Sequence, residues 1–367
     1  MGAYRHKGLR VSRRRFLAAS SAAAVTPWIR NARAANKKFE GKQIRVLTWT
    51  DLTGQAALRN IMKPFERETG AHVIPDLTGT TSQMVAKIKA SASRPQYDVV
   101  ILSGVGAIEL ANAGLLEKPD PGRLPNLQRI FPEFRSGAGG YGVGYFLWTD
   151  GLIFNTDVFG SPPNSYKELW NETHANKLIL PQPNNIAAME LILVAAGLAG
   201  GNERNPEPGF KLLQQLRSRL LTFQRNAAET AELFKSGAAD IGGIMSPLDF
   251  SSFITRPEYK LSGTLNLEEG FFADLQFLTV PRGHPGDADV VHAFIDYALD
   301  AKVQGTMANE VWYGPINRDA KLSEQAHTIP YIATPERISA KGHQVDKEYL
   351  AGVRSDWIRR YTEALTS

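Results

Sequence analysis

The chain has 367 residues, with 42 Lys/Arg against 37 Asp/Glu, a net charge of +5 and no cysteine. A chain without cysteine holds no disulfide, thiolate zinc site, iron–sulfur cluster, cysteine nucleophile or cysteine-linked lipid anchor. Eight Lys/Arg and no acid fall within the first 35 residues, which leaves the remainder at −3 without any Lys/Arg block; the basic balance therefore implies no nucleic-acid partner, for which a clustered cationic face is needed.

Those first 35 residues read as an export leader. Ser12-Arg13-Arg14-Arg15-Phe16-Leu17 carries the paired arginines of a twin-arginine signal, Leu17 to Val25 is a short Ala/Ser-rich apolar run, and Ala32-Arg33-Ala34 offers a small-residue cleavage site. A basic amphipathic first helix is the other reading, which Pro27 and the scattered Arg30 and Arg33 fit poorly. The mature chain, starting at Ala35 or Asn36, is expected in the periplasm. No later segment approaches the roughly 20 apolar residues that span a bilayer. The longest, Ile186 to Ala199, contains Glu190 and reads as a buried helix.

Beyond the leader, strand-length apolar bursts alternate with helix-period stretches, the pattern of an α/β protein. Gln43 to Trp49 reads as a first strand, followed from about Gly54 by a helix with Leu58, Ile61, Met62 and Phe65 on one face and a stop at Gly70. His72 to Ile74 begins a second strand, Ser82 to Ala92 a helix, and Tyr97 to Leu102 a buried third strand; a further helix starts after Ser103-Gly104-Val105-Gly106 and ends at Gly114. Two right-handed βαβ units follow, with Trp49 and Ser103 at the carboxyl edge of a parallel sheet, where open sheets of this kind bind ligands.

From Tyr141 the pattern turns to Gly-rich extended segments, Gly144 to Trp148 and Gly151 to Thr156. A second α/β run follows, with strands expected at Lys177 to Leu180 and Ala239 to Met245 and helices at Ser165 to Trp170, Ile186 to Ala199 and Glu207 to Arg219. Phe271 to Pro281 reads as a long apolar strand with a helix, Ala288 to Leu299, behind it. The reading is a two-lobed α/β fold. Residues 36–149 plus 276–367 form a discontinuous first lobe and residues 150–275 an inserted second lobe, with crossings at Thr149 to Gly151 and Asp274 to Gln276 acting as a hinge beside a cleft.

Motifs for chemistry are sparse. Gly137-Ala138-Gly139-Gly140-Tyr141-Gly142 spells G-x-G-x-x-G, but a dinucleotide fingerprint must follow a strand and open a helix, whereas this run follows a Pro/Phe/Arg loop and leads into a strand. A flexible turn is the plainer reading, and no cofactor is expected. His72, His174, His284, His292, His327 and His343 stand singly, without metal-ligand spacing. The acids Glu66, Glu68, Asp249, Glu268, Glu269 and Asp274 make no dyad recognisable from sequence, so hydrolytic chemistry has no support. Ser103 to Gly106 joins a buried strand to a helix start: its free N–H groups hold a polar ligand atom, or Ser103 is a simple N-cap. Trp49, at a strand's carboxyl end, lies under the cleft or packs as core.

Seven phrases recur in a fixed order: Trp49-Thr50-Asp51, Phe65 to Val73, Tyr97 to Ser103, Tyr141 to Trp148, Ser165 to Trp170, Leu275 to Pro281 and Tyr313-Gly314-Pro315-Ile316-Asn317. Through them most of the mature chain resembles the periplasmic solute-binding proteins of ABC importers, and among these the spermidine/putrescine-binding branch. The resemblance implies a type II binding fold and a non-enzymatic, monomeric clamp that closes on one small ligand and delivers it to an inner-membrane permease. Closure requires a ligand that touches both lobes, since only differential affinity for the closed state shifts the population. The resemblance also places Trp49 and Tyr313 as aromatic walls, Asp51 as an acid beside Thr50, and Ser103 with Gly104 in a strand-end loop.

Elsewhere the pocket departs from that branch. Asn184 and Asn185 stand where the polyamine binders carry carboxylates, Gln276 where they carry Asp, Met245 where they carry an aromatic residue, and Arg225 where they carry a small polar one. Buried ammonium groups without paired carboxylates cost several kcal/mol, which argues against a di- or tri-cation. Arg225 either makes bidentate hydrogen bonds to a ligand anion or is a solvated residue at a helix start. In the first case, with Asp274 or Asp51 holding one ammonium, the preferred ligand is a zwitterionic ω-amino acid or aminophosphonate rather than a polyamine. An exported enzyme on the same clamp and a ligand sensor for a receptor are the rival classes.

Overall fold

The computed structural model describes residues 37–366; the leader and cleavage site expected in residues 1–35 lie outside them. Gln43–Trp49 pairs in parallel with His72–Thr78 on one side and Val99–Ser103 on the other. Val99, Val100, Ile101 and Leu102 are all buried, as befits a strand covered on both faces. Leu52–Ala57, a π turn at Leu58–Met62 and Lys63–Thr69 run on as one helical stretch. It starts before the expected Gly54 because the Asp51 carboxylate caps the Thr53 and Gly54 N–H groups. Pro64 has no N–H to give to the carbonyl four residues back, and the Lys63 N–H reaches Leu58 instead, which widens the turn. Gly70 ends the stretch at φ +81°, where a side chain would be strained.

The two extended segments expected after Tyr141 are a single strand of 14 residues, Gly142–Asn155. Its first part pairs antiparallel with Phe271–Pro281, and its second part with Ile241–Met245 and Leu261–Thr264. Pairing of Thr149 and Asp150 with Ala273 and Phe272, and of Gly151 with Met245, keeps it extended through Thr149–Gly151, where a crossing between lobes was expected. Gly144 and Gly151 are points of close backbone approach: a Cβ would meet the Phe134 carbonyl at the first and the Thr264 carbonyl at the second. Leu178–Leu180 pairs in parallel with Ile241–Met245 and with Leu220–Phe223, a strand that the sequence reading did not include.

Two large apolar cores flank the crossing strands. Val143, Tyr145, Phe146 and Leu147 join the first, together with Ile44, Val46 and Val99 to Leu102; Leu152 and Phe154 join the second, together with Leu178, Leu180, Leu191 and Ile244. Along Phe271–Pro281 only Phe272 joins the second core, whereas Phe271, Ala273, Leu275, Phe277 and Leu278 join the first. The final helix, Lys347–Thr366, lies on the other side from the one expected. Leu350, Trp357, Tyr361, Ala364 and Leu365 are buried in the second core, and the Tyr361 hydroxyl donates to the Pro181 carbonyl at 3.1 Å. Its apolar face matches Phe210 and Leu213 on Glu207–Leu213, so the span of the first lobe that runs to residue 367 is corrected for these last residues.

Candidate ligand-binding cleft

Strand carboxyl ends from both sheets converge on one cavity of about 260 Å³. Trp49 and Ser103 end strands of the first sheet and Met245 ends one of the second; Asn185 and Gln224 follow the ends of two more. The crossing strands supply the floor. Side chains two apart share a face of a strand, so Trp148 and Asp150 on one strand and Asp274 and Gln276 on the other line the cavity together. The pairings Asp274–Trp148 and Gln276–Ser103 set their register, and an irregularity between Gln276 and Phe277 locally re-aims the strand.

Four aspartates line this space: Asp51, Asp150, Asp249 and Asp274, with no Arg, Lys or His among the lining residues. Asp51 accepts from the Thr53 and Gly54 N–H groups at 2.9 and 3.1 Å. Asp274 forms an ion pair with Lys347 and accepts from the Gln276 amide at 3.0 Å. Burial, and then repulsion from Asp249 and Asp274, pushes the Asp150 carboxyl well above the usual carboxylate range. Behind it Glu190, on the buried helix Ile186–Leu198, is pushed up by burial and by Asp150 and Asp274, an effect that Lys347 partly offsets. Asp249 keeps an exposed face at the cavity, yet lost hydration and the nearby Asp51 push it up to about 7. Among the described residues no group of three or more His, Cys, Asp or Glu is placed to hold a metal ion.

Trp49 and Trp148 give the cavity apolar, electron-rich walls. The Trp49 indole N–H donates to Thr81 Oγ1 at 3.3 Å, and its ring meets Phe146 edge-on with centroids 6.5 Å apart.

Of the residues singled out from the sequence, Trp49, Asp51, Ser103, Asn185, Met245, Asp274 and Gln276 share the cavity, and Thr50, Gly104, Asn184, Arg225 and Tyr313 do not line it. Tyr313 is buried one layer back, stacked on Phe146 at 3.7 Å, so it backs the aromatic wall instead of forming its face. Thr50 is exposed; Gly104 is buried beneath the Lys347 ammonium; Asn184 is exposed, its carbonyl accepting from Arg354 at 2.6 Å. Arg225 is exposed and lines a separate cavity with Glu229, Phe253 and Tyr259. The Gln224 N–H still bonds the Leu180 carbonyl at 2.8 Å, so extended pairing persists and alternation turns Gln224 into the cleft and Arg225 away from it. Sequence reading missed Asp150 altogether and saw Asp249 only as a lone acid. Asp150, two residues beyond Trp148 on an extended segment, was the available signal.

Two curated relatives come from Pseudomonas aeruginosa. The putrescine/agmatine-binding protein is 26% identical over 186 residues, 46% of this chain and 50% of that protein, so the match spans about half of that relative's length. The putrescine-binding periplasmic protein SpuD is 20% identical over 324 residues, 82% of this chain and 86% of that protein. Among solved structures, the spermidine/putrescine ABC transporter substrate-binding protein PotD from Streptococcus pneumoniae has the same fold, with a TM-score of 0.72 at 18% identity over 89% of this chain and 100% of that one. Residues 60–334 match the bacterial extracellular solute-binding protein family, and this chain, with its two-lobed type II fold, belongs to that family.

Proposed function

We propose that the cleft captures a small amine-bearing cation, of the alkylamine or short polyamine class, as the substrate-binding component of an ABC importer. The carrying observation is the set of four aspartates around two tryptophans. An ammonium group leaving water needs carboxylate partners, and indole faces attract cations while covering an alkyl chain. Two of these carboxyls are held up by burial and mutual repulsion, a crowding that an incoming cation relieves. The names of the two Pseudomonas aeruginosa relatives agree with this class. Asp150 and Asp249 supply the acids whose loss elsewhere argued against a polyamine, and the zwitterion argument loses its anion-binding residue because Arg225 lies outside the cleft. In this reading the twin-arginine leader carries the chain to the periplasm, where the monomer hands its ligand to a permease in the inner membrane.

Isothermal titration calorimetry with butylamine, putrescine, spermidine, 4-aminobutyrate and glutarate tests the reading. Binding of at least one simple amine, weakened about tenfold or more by Asp150→Asn and unchanged by Arg225→Ala, is the expected result. Binding of 4-aminobutyrate or glutarate alone, abolished by Arg225→Ala, would overturn it.

A further inference from the structure

Lys347 is the first residue of the final helix, which is anchored in the second core, yet its side chain reaches the crossing strand Phe271–Pro281. There its ammonium pairs with Asp274 Oδ1, while Asp274 Oδ2 accepts from the Gln276 amide, so both oxygens of this cleft-lining carboxylate are engaged. The pair is largely withdrawn from solvent, with side-chain exposures of 19% and 21%. The same ammonium lies over Gly104, at the start of the helix after Ser103, in space that a Cβ there would fill. A primary ammonium on a four-carbon stem thus engages a cleft-lining acid without itself lining the cavity.

Resting on the amine reading above, we infer that Lys347 is a built-in occupant of one ammonium subsite and sets the ligand charge, so that the cleft takes a ligand with one ammonium in preference to two. A second ligand ammonium must either displace Lys347 from Asp274 or stand beside it unpaired, and like charges in a partly dry cavity repel strongly.

Butylamine and putrescine share four carbons and differ by one ammonium. Calorimetry of both ligands with the wild type, Lys347→Met and Lys347→Arg is the test. The Met variant is expected to tighten putrescine by about tenfold or more while leaving butylamine within about twofold, and the Arg variant to keep the wild-type ratio. An unchanged ratio in the Met variant, or equal tightening of both ligands, overturns the role of Lys347 while leaving the amine reading standing. Failure of every protein to bind either amine overturns both. Far-UV circular dichroism checks folding, and Lys347→Gln replaces the Met variant if that one is misfolded.

Discussion

An aspartate held near neutrality by its surroundings would make amine capture in the proposed site sensitive to acidity. Asp249 is pushed up to about 7, so at pH 6 it is mostly protonated and at pH 8 mostly ionised. A cation prefers the ionised form, and bound cation in turn favours proton release. Amine affinity is therefore expected to rise severalfold from pH 6 to pH 8, and Asp249→Asn to flatten that rise; titrations in buffers of different ionisation enthalpy should show protons leaving on binding at pH 6.5. An affinity independent of pH would remove Asp249 from the site. At this scale sequence captured positions set by strand ends, such as Trp49 and Ser103, because where a strand stops fixes where its last side chain sits. It could not pair Asp150 with Asp249, which are brought together only by the crossing strand and the loop after Ile241–Met245. Nor could it place Arg225, since a slip of one residue along an extended segment reverses the face.

The helix Ile186–Leu198 illustrates what an element sacrifices for its position. Nine of its 13 residues are buried, including Glu190, one of whose carboxylate oxygens has no partner. The folded-state pKa of Glu190 stands above the ordinary 4.5, so the folded chain holds a proton that the unfolded chain has released. Stability contributed by the neutral acid is fully present below about pH 4.5 and is lost as pH climbs toward the folded value. Glu190→Gln is thus expected to raise the thermal midpoint more at pH 8 than at pH 5; equal shifts at both would contradict a buried neutral acid. Elements of this kind were legible: the apolar run from Ile186 announced a buried helix, and Phe271–Pro281 has the bounds expected from its pattern. The merging of two Gly-rich segments into Gly142–Asn155 was not, because glycine marks close backbone approach and chain reversal with the same letter.

For the whole molecule, the ligand must touch residues from both lobes for closure to be favoured. Trp49, Asp51 and Ser103 lie at or just beyond strand ends of the first sheet, and Asn185, Met245 and Asp249 at or beyond strand ends of the second. Small-angle X-ray scattering should show a smaller radius of gyration in saturating ligand than without it; an unchanged value would mean that capture does not move the lobes. The two-lobed α/β plan was readable because alternating strands and helices leave few alternatives. The destination of Lys347–Thr366 was not, since an amphipathic helix states that it needs an apolar partner without saying which of two.

That last helix has a bearing on how the chain matures. The second core closes over Leu350, Trp357, Tyr361 and Leu365, so that core, formed mostly from residues 152–272, still lacks a wall until Lys347–Thr366 has been synthesised. Loss of that helix would leave Phe210 and Leu213 facing water and give a half-sealed, aggregation-prone product instead of a shortened carrier.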